Sequence, residues 1–151
     1  MNRSWLFAHW KPFLLSAIVL TGRTAMAQFQ IDNAPINYGQ APRSDAVGKL
    51  QTRIDQGKTA LEYHPRYGYL PNLLRKLHIS ETSQVLVFSK TSFQRTLIAP
   101  HSPRAVYFND DTYVGSVQGG EVLEMSSIDP RLGAIFYTLN QERVEQPRIL
   151  R

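Results

Sequence analysis

The pattern of apolar and polar positions changes from a helical to an extended spacing about halfway along the chain. Val47, Leu50 and Ile54 recur at the spacing of one helix face, and a stripe of leucines follows in residues 70–77. From Gln84 onward, short apolar runs alternate with turn residues, which is typical of strands. The pattern therefore predicts an α+β fold in which two N-terminal helices precede an antiparallel sheet of about five strands.

The ends of the two helices carry recognisable signals. Ser44 or Asp45 is placed to cap the first helix, which the spacing extends to about Gln56. Gly57 is placed to end this helix in the left-handed conformation. The second helix tolerates Pro71 in its first turn, because amides there have no acceptor within the helix.

The predicted strands are short and lie close together along the chain. The first, Val85-Leu86-Val87-Phe88, is wholly apolar, as in a strand that is buried on both faces. The turns that join the later strands contain three to five residues. A parallel crossover needs a dozen or more residues, so these strands must be antiparallel neighbours. The later strands are predicted over residues 105–108, 112–117, 122–128 and 134–139.

The first 27 residues have the features of a secretory signal peptide. Arg3 and Lys11 supply positive charge, residues 13–20 are apolar, and Ala25-Met26-Ala27 matches a cleavage site. A membrane-spanning helix needs ~20 apolar residues, and Gly22-Arg23-Thr24 interrupts this run. We therefore predict cleavage after residue 27, no membrane span afterwards, and export to the periplasm or another extracytoplasmic compartment.

The remaining chain is predicted to form a single domain with a segment on either side. Residues 28–43 are polar and aperiodic, and we predict an extended arm that Ile31, Ile36 and Tyr38 attach to the domain. Residues 44–146 form the α+β domain.

Residues 147–151 are predicted to be a tail. Ile149 and Leu150 begin an apolar pattern there that has nothing after it. Two interpretations stay open: a frayed end, or the truncated start of an element that a longer protein continues.

Composition and charge exclude several classes of function. The chain has 151 residues, is 42% hydrophobic and contains no cysteine. Disulfides, thiolate metal sites, a cysteine nucleophile and covalent haem attachment are therefore excluded within these residues. The net charge of +5 falls to +2 once the three basic residues of the leader are removed. A charge this small argues against a nucleic-acid partner, which would call for a clustered basic face.

The acidic residues of the predicted turns are the first candidates for chemistry. Asp110, Asp111 and Asp129 offer oxygen ligands for a hard cation, but they lack the spacing of a calcium loop. Aspartate is also a common turn residue, because its side chain bonds nearby backbone amides. We therefore assign no metal ligand. A metal-dependent hydrolase that uses Asp110, Asp111 and His101 remains an alternative, and it requires these side chains to share one pocket.

Other polar residues do not form a recognised catalytic pattern. His64, His78 and His101 lack the spacing of paired histidine ligands. Ser92 and Lys90 follow a predicted strand, but neither a phosphate-binding glycine nor the Ser-x-x-Lys order is present. The sequence analysis therefore assigns no catalytic residue, no cofactor-binding residue and no metal ligand.

Aromatic residues are the remaining distinctive feature of the predicted sheet. Tyr107 and Phe108 are adjacent, as are Phe136 and Tyr137, and Tyr113 lies on the strand between them. Since successive side chains of a strand point to opposite faces, one member of each pair faces the core and the other faces outward. Cross-strand pairing explains these rings without a ligand. Docking of a cofactor or partner on the outer aromatic face is the alternative.

Several blocks of the mature chain resemble an exported bacterial family of large cytochrome-c-like proteins. The resemblance spans roughly residues 36–141, which is nearly all of the mature chain. The blocks that carry it are Ser83-Gln84-Val85-Leu86-Val87-Phe88-Ser89-Lys90-Thr91-Ser92, Pro103-Arg104-Ala105-Val106-Tyr107-Phe108-Asn109-Asp110-Asp111, Tyr113-Val114-Gly115, Asp129-Pro130-Arg131-Leu132-Gly133-Ala134 and Phe136-Tyr137-Thr138-Leu139.

The resemblance implies a module without a reactive centre of its own. In that family the matching region is an N-terminal module without haem ligands, and Cys-x-x-Cys-His motifs follow it. This chain contains no such motif, so haem c is expected only in a downstream region. The resemblance therefore implies a non-catalytic, exported module that packs against a haem-bearing region or a redox partner. A free-standing exported ligand-binding domain is the alternative, and it predicts a sizeable cavity.

Overall fold

Two helices and a six-stranded antiparallel sheet make up residues 37–151, the part of the chain that the computed structural model describes. The predicted signal peptide, residues 1–27, and the arm as far as residue 36 lie outside the described residues. The elements are α1 (Ala46–Asp55), α2 (Leu70–Lys76), β1 (Val85–Val87), β2 (Arg104–Phe108), β3 (Thr112–Val117), β4 (Val122–Asp129), β5 (Gly133–Asn140) and β6 (Ile149–Leu150), with a short 3-10 turn at Glu81–Ser83.

The α+β class and the antiparallel sheet are confirmed, and two finer predictions were wrong. The sheet has six strands rather than five, in the spatial order β1-β2-β3-β4-β5-β6, because Ile149–Leu150 forms a strand. The helices do not stand at the N-terminus, since α1 begins at Ala46 and α2 at Leu70. Every strand pairs with its neighbours in sequence, so the sheet is a simple meander.

One face of the sheet carries the core, and the helices pack on this face. Val47 and Leu50 of α1 and Leu73 and Leu74 of α2 are almost completely buried. They contact the inward-facing residues of the central strands, as expected from the period of two. The strand residues in this cluster are Val114, Leu123, Met125, Ile135, Tyr137, Leu139 and Ile149. We call the opposite face the outer face, and neither of the two helices within residues 37–151 packs on it.

Helix α1 begins and ends where its sequence signals predict. The carboxylate of Asp45 accepts hydrogen bonds from the amides of Val47 and Gly48, which otherwise lack partners in the first turn. Gly57 has a φ of +66°, a conformation that glycine adopts without strain. For α2, Pro71 occupies the first turn as predicted.

Strand β1 differs from its prediction. The sequence suggested burial on both faces, but β1 is an edge strand that pairs only with β2. Val85 and Leu86, which point to opposite faces of the sheet, are both exposed. An apolar run alone does not reveal whether a neighbour covers it, because the cover comes from distant parts of the chain.

Strand β6 ties the last described residues to both the sheet and α1. Leu139 and Thr138 pair with Ile149 and Leu150. The amide of Ile149 donates a hydrogen bond of 2.7 Å to the Oε1 atom of Gln51, which is 98 positions earlier in the chain. Among residues 37–151, no helix is long and apolar enough to cross a membrane.

Candidate functional site

The outer face of the sheet exposes a row of aromatic rings, which we call the aromatic face. Tyr113, Ser126 and Phe136 lie side by side on β3, β4 and β5. Phe108 stacks on Tyr113 with a ring-centroid distance of 5.9 Å. Phe136 is 66% exposed and Tyr113 is 45% exposed. The alternation predicted from the sequence is confirmed, because Tyr137 is buried in the core beside the exposed Phe136.

A groove of about 530 Å³, the aromatic groove, lies against this face. Its floor includes Val106 and Gly115, and Tyr113 and Phe136 line it. Phe93, in the connection between β1 and β2, also lines the groove and is 85% exposed. Such a volume falls in the range of small-molecule sites, which are mostly apolar with few polar groups.

A carboxylate on β4 fixes the loop that forms one wall of the aromatic groove. The Oε1 atom of Glu124 accepts hydrogen bonds from the Ser92 hydroxyl and the Phe93 amide, each at 2.8 Å. Its Oε2 atom accepts one from the Nη1 atom of Arg104 at 3.2 Å. The same Nη1 atom donates to the carbonyl oxygen of Thr91 at 2.8 Å. One carboxylate therefore holds both the loop and the guanidinium.

The Arg104–Glu124 ion pair crosses an intervening strand. Arg104 lies on β2 and Glu124 on β4, and Gly115 of β3 lies between them. A Cβ atom at Gly115 would stand 3.3 Å from Cδ of Arg104, so glycine leaves the space for the crossing. Both charged side chains are only 15% exposed. The Nε atom of Arg104 is buried without a hydrogen-bond partner, so the pair is incompletely satisfied.

Asp110 and Asp111 lie in the β2–β3 turn and are exposed. The turn is closed by Asn109, whose Oδ1 atom accepts from the amides of Asp111 and Thr112, as the sequence predicts for this turn. Within residues 37–151, no three acidic or histidine side chains gather closely enough to hold a metal ion.

Asp129 has a different environment from the other turn acids. It is buried, and its carboxylate accepts four hydrogen bonds. The amide and hydroxyl of Ser44 donate to Oδ2 at 2.7 and 2.9 Å, and the amides of Arg131 and Leu132 donate to Oδ1. The bond from the Ser44 amide is the main cause that holds the pKa of this carboxyl well below its usual value, although burial opposes it. Asp129 therefore connects the β4–β5 turn to the start of α1.

The histidine, serine and lysine candidates are dispersed. His64 is exposed and accepts hydrogen bonds at Nδ1 from two backbone amides of its own turn. His78 and His101 are also exposed, at the end of α2 and in the loop before β2. The hydroxyl of Ser92 donates its hydrogen bond to Glu124 rather than to Lys90.

A second buried carboxylate, that of Asp45, accepts a hydrogen bond from Tyr137. The Tyr137 hydroxyl donates a hydrogen bond of 2.7 Å to Oδ2 of Asp45, the residue that caps α1. Burial raises the pKa of the Tyr137 phenol, and the neighbouring Asp45 carboxylate raises it further. The phenol therefore stays protonated as a donor well above neutral pH.

Replacing Tyr137 by phenylalanine is expected to destabilise the protein by about 1.5 kcal/mol, because the buried Asp45 carboxylate loses one donor. Urea unfolding followed by circular dichroism measures this change. Tyr113→Phe is the matched control, since the ring of Tyr113 is half exposed on the outer face. An equal loss in both variants would contradict a stabilising role of the hydrogen bond between Tyr137 and Asp45.

The wild type should also lose stability as the pH rises above the ordinary tyrosine pKa of about 10, and the Tyr137→Phe variant should lose less.

The hydrogen bonds by which Glu124 holds the 91–93 loop and Arg104 were not predicted from the sequence. A signal for them exists, because alternation along β4 places Glu124 on the same face as Ser126 and the aromatic rings. Arg104 and Glu124 lie on the strands either side of Gly115, and because glycine has no side chain, the two charged groups can meet across it. The loop contacts of Glu124 have no local signal, since Ser92 lies 32 positions away.

The described residues show no fit to haem c. Covalent attachment requires cysteine, and the 151-residue sequence has none. Comparison of the chain with known protein families, with curated proteins and with solved structures finds no match.

Proposed function

We propose that the chain is a non-catalytic binding module of an exported protein, and that the aromatic face is its binding surface. The observation that supports this most directly is the exposure of Phe108, Tyr113 and Phe136 in one row of the sheet. Contiguous exposed apolar surface on a soluble domain commonly marks an interaction site. The other face of the same sheet is filled by the core, whereas no described helix packs on the outer face.

We further propose that the partner is a haem-bearing region of a cytochrome-c-like electron-transfer protein, of which this chain is the N-terminal part. The support is the resemblance of residues 36–141 to the haem-free module of that family. In this arrangement haem c belongs to the partner region, and the residues of this chain bind and position that region. The predicted signal peptide would deliver both to an oxidising compartment.

The nucleotide sequence that follows codon 151 tests the identity of the partner. We expect a Cys-x-x-Cys-His motif in one of the three reading frames, and its absence from all of them would contradict the cytochrome assignment. Where the motif is found, the encoded haem-bearing segment can be produced and added to the isotopically labelled chain.

Nuclear magnetic resonance titration then tests the surface. We expect the largest shifts at the amides of Phe108, Tyr113 and Phe136. The Phe136→Ser variant should bind at least about tenfold more weakly, since a large aromatic anchor is lost. Ile128→Ser is the matched control, because Ile128 is 44% exposed on the same outer face of the sheet but does not line the aromatic groove. Equal weakening by both substitutions would contradict a specific role of the rings.

A small exported ligand-binding domain is the second candidate, and the aromatic groove favours it. The groove volume of about 530 Å³ suits a small molecule. The two functions differ in footprint, because a protein partner would also cover Phe108, which is not part of the groove lining. A metal-dependent hydrolase has no comparable support among the described residues, because Asp110 and Asp111 are exposed in a turn.

A further inference from the structure

A second groove lies at the edge of the sheet and shares no residue with the aromatic groove. It has a volume of about 570 Å³ and is bounded by residues 39–43, the last turns of α1 and strand β6. Three arginines line it, namely Arg43, Arg148 and Arg151. We call this surface the arginine groove, and a function there does not depend on the aromatic face.

Two of these arginines are held in place by aromatic rings. The guanidinium of Arg151 lies over the ring of Tyr38, 4.1 Å from its centroid, and also donates to the carbonyl oxygen of Tyr38. The guanidinium of Arg43 lies over the ring of Tyr137 at 5.7 Å. Cation–π contacts order a guanidinium without neutralising its charge. Side chains ordered in advance lose less entropy when a ligand binds.

Among the side chains that line the arginine groove, arginines outnumber carboxylates by three to one. Between residues 37 and 151, no acidic side chain forms an ion pair with Arg43, Arg148 or Arg151. One carboxylate, that of Asp55, lines the groove, and it accepts a hydrogen bond of 2.7 Å from Gln51. Asp45 does not line the groove; it is buried and accepts a hydrogen bond from the Tyr137 hydroxyl. The side chains that line the groove therefore carry an excess of two positive charges.

We propose that the arginine groove binds a small free ligand that carries a phosphate group, with Arg43, Arg148 and Arg151 as its hydrogen-bond donors. Arginine forks match the oxygens of phosphate in pairs, and such charge-assisted bonds are about twice as strong as neutral ones. A doubly negative group balances the excess charge of the groove. The volume leaves space for the organic part of a phosphate ester beside the anion.

Calorimetric titration with pyrophosphate and with glycerol phosphate at low salt tests the proposal. We expect dissociation constants below about 1 mM and a loss of affinity when sodium chloride is raised, because the contacts are exposed to screening. Arg148→Gln should weaken binding about tenfold. Arg148 is exposed, so this substitution leaves the fold intact, which circular dichroism verifies.

The control variant is Arg95→Gln, which removes an exposed arginine that does not line the arginine groove. Its affinity should equal that of the wild type, and a loss equal to that of Arg148→Gln would show nonspecific attraction and overturn the proposal. Absence of binding at about 10 mM pyrophosphate would also overturn it. Binding to vesicles that contain phosphatidic acid, without binding of glycerol phosphate, would assign the groove to a lipid surface and contradict a free ligand.

Discussion

Replacing Asp129 by alanine is expected to destabilise the protein by about 4 kcal/mol, because hydrogen bonds to a charged group contribute about 1.5–3 kcal/mol each and are not additive. Four donors lose their acceptor in this variant: the Ser44 amide, the Ser44 hydroxyl and the amides of Arg131 and Leu132. The carboxylate is buried, so water replaces it poorly. Urea unfolding followed by circular dichroism measures the change.

Asp110→Ala is the matched control for this experiment. Asp110 also lies in a hairpin turn but is exposed, so its replacement should change stability by less than about 0.5 kcal/mol. The comparison separates the effect of the buried hydrogen bonds to Asp129 from the general preference of aspartate for turns. A similar loss in both variants would contradict the anchoring role of Asp129.

The contribution of Asp129 also has a defined pH dependence. Its hydrogen bonds hold the pKa in the folded protein below the value of the unfolded chain. The folded state therefore releases its proton more readily, and the stabilisation is fully present above the ordinary aspartate pKa of about 3.9. It is lost progressively as the pH falls below that value. The Asp129→Ala variant should accordingly show a weaker decline of stability in acid than the wild type.

The local parts of this fold could be predicted from the sequence. The cap at Asp45, the left-handed Gly57 and the turn at Asn109 depend on residues within three positions of one another. That Phe136 and Tyr137 lie on opposite faces of the sheet followed from the alternation of a strand. These features needed no knowledge of distant contacts.

The parts that could not be predicted depend on residues far apart in the chain. The bond between Ser44 and Asp129 spans 85 positions, and that between Gln51 and Ile149 spans 98. A strand of two residues such as β6 has no period to detect, and it forms because β5 and Gln51 supply its partners. Among the described strands, β1 likewise has β2 as its one neighbour, and whether its faces are covered depends on distant segments of the chain.

In the candidate site, too, the local features could be predicted from the sequence and the long-range contacts could not. Alternation predicted that one ring of each adjacent aromatic pair faces outward. The structure shows that these rings are Phe108 and Phe136, and that Tyr113 stacks with Phe108 on the same face. The groove on that face needs a wall, and the wall exists because Glu124 binds a loop 32 positions earlier in the chain. Alternation therefore indicated an outer aromatic face, but neither which rings are exposed there nor the shape of the surface that they line. That shape depends on one carboxylate.

Replacing Glu124 by alanine is expected to destabilise the protein by about 3 kcal/mol and to open the loop. The guanidinium of Arg104 would remain mostly buried without its counter-charge, which costs about 3–5 kcal/mol in comparable cases. Ser92 and the Phe93 amide would lose their acceptor. Urea unfolding measures the loss of stability, and hydrogen exchange of the Phe93 amide measures the opening. Glu121→Ala is the control, because Glu121 is exposed.

A double substitution separates the charge pair from the loop clamp. In Arg104→Met with Glu124→Leu, no buried charge is left unpaired, and the unsatisfied Nε atom of Arg104 is removed as well. Replacing a buried pair by apolar residues of similar volume is often neutral or stabilising, so this variant should regain most of the stability lost in Glu124→Ala. The Phe93 amide should still exchange quickly, because its acceptor is absent. Slow exchange at Phe93 in the double variant would show that packing, rather than Glu124, holds the wall of the aromatic groove.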